Sequence, residues 1–189
     1  MPLSALLRSP QRRHPAPALT TLALLLAGLG AAQAQTWTGG GLSNGWMDNA
    51  NWQGFIRPSS SATTAITFAG GVRLSPVQNI ASPFTLNSLT FASNAGAFAL
   101  SGNVLRFAGT NARLVQNSAN AVSIANGIQL ATSVAIDGPG DLTLTGILAR
   151  QADVDRSSVI LTKRGAGTLT LTGVSVFDSV LRVTGGRVL

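Results

Sequence analysis

"GAGTLTLTG", Gly165 to Gly173, is the stretch that decides the fold. Thr168, Thr170 and Thr172 alternate with Leu169 and Leu171, the period-2 pattern of a strand that buries one face. Glycines bracket the run as turn signals do. The phrase recurs in "GAFALSG" (Gly96 to Gly102) and "GDLTLTG" (Gly140 to Gly146). With "GTLTLTG" (Gly167 to Gly173) they fit one pattern, Gly-x-[Leu/Phe]-x-Leu-[Ser/Thr]-Gly. A looser copy is "GNVLRFAG" (Gly102 to Gly109), and "GGRVL" (Gly185 to Leu189) opens another. "AITFAGG", "LNSLTFAS", "AVSIANGIQLA" and "TSVAID" read as further short strands with turn residues at their edges.

The three strict copies start 44 and then 27 residues apart, and the partial copy at Gly186 starts 19 after Gly167. Spacing near multiples of about 20 predicts coils of a solenoid with loops of variable length. No single coil buries its own apolar side, so stacking puts Leu on Leu along an axis. Glycines and asparagines belong at the corners, where sharp turns often need φ > 0. Rows of Thr, Ser and Asn stack without repulsion and can hydrogen-bond. An antiparallel sandwich is the rival for a chain of short strands. Its two-residue hairpin turns are represented only by Asn126-Gly127 and Asp137-Gly138, which favours the solenoid.

Composition agrees. The chain of 189 residues is 45% hydrophobic and 10% charged, with 21 glycines, no Cys and no Tyr. That disfavours a helical bundle and ordinary disorder alike. Residues 1–34 read as a secretory signal, with Arg8, Arg12 and Arg13 as basic region, Leu19 to Gly30 as apolar region and Ala32-Gln33-Ala34 as cleavage site. Cleavage is expected between Ala34 and Gln35. The apolar run is shorter than the roughly 20 residues a spanning helix needs, and no later segment is apolar enough. The expected product is exported, without a transmembrane helix. Residues 35–65 are expected to cap the solenoid, and residues 66–189 to form its repeats.

After the leader, 10 basic residues remain against 6 acidic, a net of about +4. They are scattered, with no dense run beyond Lys163-Arg164, which argues against nucleic acid. The mature chain has no His, Cys, Glu or Tyr, which excludes a Ser-His-Asp triad and His or thiolate zinc sites. No cofactor or metal is expected, and no enzymatic activity. Two clusters deserve weighing. Trp37, Trp46 and Trp52 hold every Trp of the chain. They suit a cap over the open first coil, or a platform on which sugar rings stack. Asp153 and Asp155 would share one side of a strand and could serve acid/base hydrolysis or Ca²⁺. The favoured reading is a solvated loop between coils, with Arg150 and Arg156 nearby as charge partners. Two carboxylates are few for calcium.

"LTKRGAGTLTLTG", Leu161 to Gly173, resembles the signature of the autotransporter-associated β-strand repeat. That consensus runs close to Leu-Thr-Lys-x-Gly-x-Gly-Thr-Leu-Thr-Leu-Ser-Gly. Leu161, Thr162, Lys163, Gly165, Gly167, Thr168, Leu169, Leu171 and Gly173 match it, with Thr172 in place of Ser. In the continuation, "VSVFDSVLRVTGGRVL", Phe177 takes the aromatic position and Ser179-Val180 replaces the family's Gly-Gly turn. "TWTGGGLSNGWMDNANW" (Thr36 to Trp52) and "LNSLTFASNAGAFALSGNVLRF" (Leu86 to Phe107) are similar to the region that often precedes such repeats. The resemblance implies a right-handed parallel β-helix passenger, exported by a Gram-negative bacterium and displayed at the cell surface as an adhesin-like stalk. Its implied partners are host or environmental surface glycans or proteins. The chain stops inside a repeat without a C-terminal barrel, so a fragment, a truncated frame or one part of a split system is expected.

Overall fold

The structure, a computed structural model, describes residues 34–189. The expected leader lies outside them except for Ala34. Strand β1 (Ala34–Trp37) comes first, followed by a loop with two short 3₁₀ turns, Asn49–Asn51 and Gln53–Phe55. Three strands then make each coil. The first holds β2 (Ala65–Phe68), β3 (Val77–Gln78) and β4 (Phe84–Leu86). The second holds β5 (Ser88–Phe91), β6 (Ala99–Gly102) and β7 (Leu105–Phe107). The third holds β8 (Ala112–Gln116), β9 (Val122–Ile124) and β10 (Ile128–Leu130). The fourth holds β11 (Val134–Asp137), β12 (Leu142–Leu144) and β13 (Leu148–Arg150). The fifth holds β14 (Ile160–Lys163), β15 (Thr168–Leu171) and β16 (Ser175–Val176), and β17 (Val180–Val183) and β18 (Arg187–Val188) follow.

Strands of the same rank in successive coils pair in parallel. They build a seven-stranded first sheet (β1, β2, β5, β8, β11, β14, β17), a six-stranded second sheet (β3 to β18) and a five-stranded third sheet (β4 to β16). The fold is therefore a β-solenoid, as the repeat predicts. Its register places Ala65, Ser88, Arg113, Ala135, Thr162 and Arg182 in one column. Successive coils thus take 23, 25, 22, 27 and 20 residues. All three strict copies of the quoted phrase fall on the second sheet, at β6, β12 and β15. The 44-residue interval spans two coils, with β9 between. The looser copy "GNVLRFAG" differs, since its strand β7 lies on the third sheet.

Side chains alternate inward and outward as the period requires. Ile66, Leu89, Leu114 and Ile136 stack inside the first sheet, Leu142 on Leu169 and Leu144 on Leu171 inside the second. Nearly all are at most 3% exposed, so the core is a continuous axial column and not a set of separate layers. Outward, Ser123, Thr143 and Thr170 stand in a row. Among the described residues, the hydroxyls of that row do not bond one another. The row therefore contributes β propensity and neutrality, not the hydrogen-bonded ladder expected of it.

Gly102 and Gly186 take the positive φ expected of corner glycines, at 103° and 68°, but most glycines of the motif have a different cause. Gly140, Gly146, Gly165, Gly167 and Gly173 lie outside the left-handed region. What they need is room: a Cβ on Gly167 would sit 2.0 Å from the carbonyl oxygen of Gly140, and on Gly173 2.1 Å from that of Gly146. The corners of adjacent coils touch backbone to backbone, and only hydrogen fits between them.

Candidate functional site

Three places carry the polar and aromatic chemistry that the core does not use. The first is the loop around the tryptophans. Trp37, Trp46 and Trp52 are each at most 1% exposed. Trp52 meets Trp37 and Trp46 edge-to-face, with centroids 5.2 and 5.5 Å apart, and all three pack on Phe68 of the first coil. The indole N–H of Trp52 donates to the Trp46 carbonyl at 2.9 Å. No indole face is open to solvent, so these rings cover the first coil and offer no surface to a sugar.

Polar residues hold this loop closed. The Asp48 carboxylate accepts the backbone N–H of Leu42, Ser43 and Ala50 and the Ser43 hydroxyl. Asn51 accepts the Gly41 N–H and donates to the carbonyls of Ser43 and Gly45. A Cβ on Gly41 would lie 2.4 Å from the Asp48 carboxylate and 2.7 Å from the Asn51 amide oxygen, so any larger residue would displace the side chains that close the loop. Desolvation raises the Asp48 pKa, but the bonds from Ala50, Ser43 and Leu42 outweigh it and hold the carboxyl below its ordinary range.

The second place is the loop between β13 and β14. Asp153 accepts a bond from Gln151 Nε2 at 2.6 Å. Asp155 caps the 3₁₀ turn Arg156–Ser158 by accepting the Ser157 N–H and hydroxyl, both at 2.8 Å, which lowers its pKa. Asp153 and Asp155 are therefore loop residues, not neighbours on a strand face. Arg150 and Arg156 act on Asp155 as charge partners, lowering its pKa further, while their direct ion pairs go elsewhere. Arg150 grips Asp178 of the next coil, at 2.9 and 3.1 Å, and Arg156 reaches the same carboxylate at 3.3 Å. These bonds to Arg150 hold the Asp178 carboxyl below its ordinary range. Arg150 occupies the inward position of the column Leu86, Phe107, Leu130, and its guanidinium also donates to the carbonyls of Gln151, Ala152 and Val154. Sequence reasoning missed Arg150 as an organiser of this loop, because its inward position emerges only from the register. Among the described residues, no three acidic or His and Cys side chains converge as a metal site.

Lys163, the only lysine, continues the inward column Ile66, Leu89, Leu114, Ile136. It is 2% exposed and its ammonium donates to the Gly165 carbonyl. Burial lowers its pKa, against the pull of Asp137 and Asp141. The remaining motif residues serve the same scaffold: Leu161 and Leu169 are buried and partly buried Leu171 packs against the core.

The third place lies on the outer face of the first sheet, across β8, β11 and β14. It is a shallow groove of about 470 Å³, polar along most of its lining. Arg113 stands on one side, Asp137 and Arg164 at the far corner, and Ala135, Thr162 and Ser133 along the floor and rim. At that corner the Asp137 carboxylate accepts the Gly138 N–H at 2.8 Å. Among the described residues no helix is long and apolar enough to cross a membrane. Comparison with protein-family models, curated proteins and solved structures finds no match for this chain.

Proposed function

We propose that the chain is an exported, non-enzymatic β-solenoid segment, a structural or adhesin-like passenger at the surface of a Gram-negative cell. One observation carries this reading. The residues that match the autotransporter-associated strand repeat are spent on stacking: Lys163, Leu161 and Leu169 inside, Gly165, Gly167 and Gly173 at backbone contacts. The acidic residues nearest to a catalytic pair, Asp153 and Asp155, are used in loop bonds. What remains for partners is the outer surface, to which a stalk would bind glycans or proteins.

The test is expression of the full chain in a Gram-negative host, with fractionation, protease accessibility and N-terminal sequencing. The expected product starts at Gln35 and lies beyond the inner membrane. An uncut chain in the cytoplasm would refute export. Hydrolysis of any member of a polysaccharide panel, abolished by Asp153→Asn, would refute the non-enzymatic part.

A further inference from the structure

We infer that the groove on the outer face of the first sheet binds a linear acidic polysaccharide, with Arg113 and Arg164 gripping its anionic groups. This names a ligand for the adhesin-like reading and rests on it. The two guanidinium groups are exposed and, among the described residues, neither has an ion-pair or hydrogen-bond partner. Arg106, Arg150 and Arg156 are engaged, with Thr85 and Asp178, whereas Arg182 and Arg187 are exposed like Arg113 and Arg164; what sets the latter two apart is the groove they line. Charge left unpaired across a groove is charge available to a ligand.

The geometry selects an extended ligand. Ala135 and Thr162 follow Arg113 in the same outward column, and Arg164 lies two residues beyond Thr162, just past the end of β14. Two strand spacings and two residues put the two Cα atoms roughly 12 Å apart on the diagonal. Small side chains between them leave the floor low. Arg182 continues the column one strand beyond Thr162, a third exposed cation in line.

The chemistry between the arginines selects a sugar over other polyanions. Thr162 and Asn111 supply hydroxyl and amide groups, the Ser133 hydroxyl being used within the fold by Ser158 and Ile160, and Asp137 supplies a carboxylate acceptor at the groove's edge. Sugar hydroxyls donate to such an acceptor, whereas a phosphate backbone offers it no proton and is repelled by it. No aromatic ring lines the groove, so bases find no stacking platform. An acidic peptide would seek an apolar or aromatic anchor, and a floor of Ala135 and Thr162 provides none. Arginine suits the anionic groups, because its planar fork meets a carboxylate or sulfate with two parallel bonds.

The experiment is affinity electrophoresis and calorimetry of the full chain with polygalacturonate, dextran sulfate, neutral dextran and single-stranded DNA. Variants are Arg113→Ala, Arg164→Ala, their double, and Arg187→Ala on the second sheet. Each groove substitution should weaken binding of the preferred anionic glycan roughly tenfold, the worth of one charge-assisted contact, with the melting temperature unmoved. Arg187→Ala should bind like the wild type, and neutral dextran should not bind. The tighter of the two anionic glycans identifies carboxylate or sulfate as the recognised group. No binding to either glycan, unchanged binding by the double variant, an equal loss in Arg187→Ala, or equal binding of DNA each overturns the inference. Because purified protein is used, such a failure leaves the export result standing, and a failure of export leaves this measurement intact.

Discussion

Gly167→Ala separates the stacking account of this fold from one based on local propensity. Gly167 has no left-handed backbone requirement, so removing chain entropy from the unfolded state should stabilise by about 0.4–1 kcal/mol. The structure demands the opposite sign. The added Cβ meets the Gly140 oxygen at 2.0 Å, its carbon at 2.5 Å and the Pro139 oxygen at 2.9 Å, all of them backbone. Ordinary contact is about 3.5 Å or more, so the two coils must part by more than an ångström at that corner. Parallel strands on either side are hydrogen-bonded in register, so the opening stretches ladder bonds as well. Overpacking of this kind costs about 1–3 kcal/mol and sometimes more, which exceeds the entropic gain. A loss of about 2 kcal/mol would lower the melting point by roughly 4–8 °C in a chain of this size. Gly71→Ala is the control, because its added Cβ meets nothing within 4 Å and its backbone is not left-handed. It should match or exceed the wild type. Thermal and urea unfolding followed by circular dichroism read both. A Gly167→Ala variant that melts at or above the wild-type temperature would refute backbone contact as the reason for the repeat's glycines.

Lys163 should give the chain an alkaline signature. Burial depresses its folded-state pKa, so between that value and the unfolded value of about 10.4 the unfolded chain binds more protons. Stability should therefore rise with pH across that range. With no Tyr, no Cys and a single lysine, Lys163→Met should flatten the rise in urea midpoints, and an unchanged slope would contradict the assignment. At the acid end, the lowered carboxyls of Asp48, Asp155 and Asp178 contribute stability above about pH 4 that disappears as pH falls through their folded values. The gap between the wild type and Asp178→Asn should accordingly close from pH 6 to pH 3; a gap that persists at pH 3 would assign it to packing. Trp46→Ala removes a side chain 1% exposed and should cost about 3–5 kcal/mol, with a matching fall in melting temperature, and an unmoved melt would return the tryptophans to the surface.

The fold was legible because one phrase carries two independent signals, a period of two and a glycine at each corner. The copy that the pattern overlooked shows what the glycines replace. Gly140 rests on the Ser118 carbonyl and Gly146 on that of Asn126, so Ser118 and Asn126 hold the same corners one coil earlier. There the side chains are buried and bond the coil beneath: Ser118 donates to the Ala95 carbonyl, and Asn126 to that of Asn103 at 2.8 Å. A corner can be closed by hydrogen alone or by a small polar side chain that satisfies a carbonyl. A search that accepts only glycine counts every second coil in this region, which is why the interval read as 44.

The groove was not legible, and the reason is register. Arg113, Ala135 and Thr162 are neighbours only because the coils between them take 22 and 27 residues. A slip of one residue in either would turn an outward side chain into the core. Coil length is set by loops, above all the insertion held by Arg150 and Asp155 before β14, and those loops follow no pattern of their own. The repeat and the binding face therefore obey different constraints. A stacked glycine or an inward leucine has neighbours on both sides and tolerates no change of size. An outward residue such as Arg113 has a neighbour only along its column, so charge can vary there at little cost to the solenoid. Specificity belongs on that outer column, and changing Arg113 and Arg164 while leaving Gly167 intact should alter binding without altering the melt.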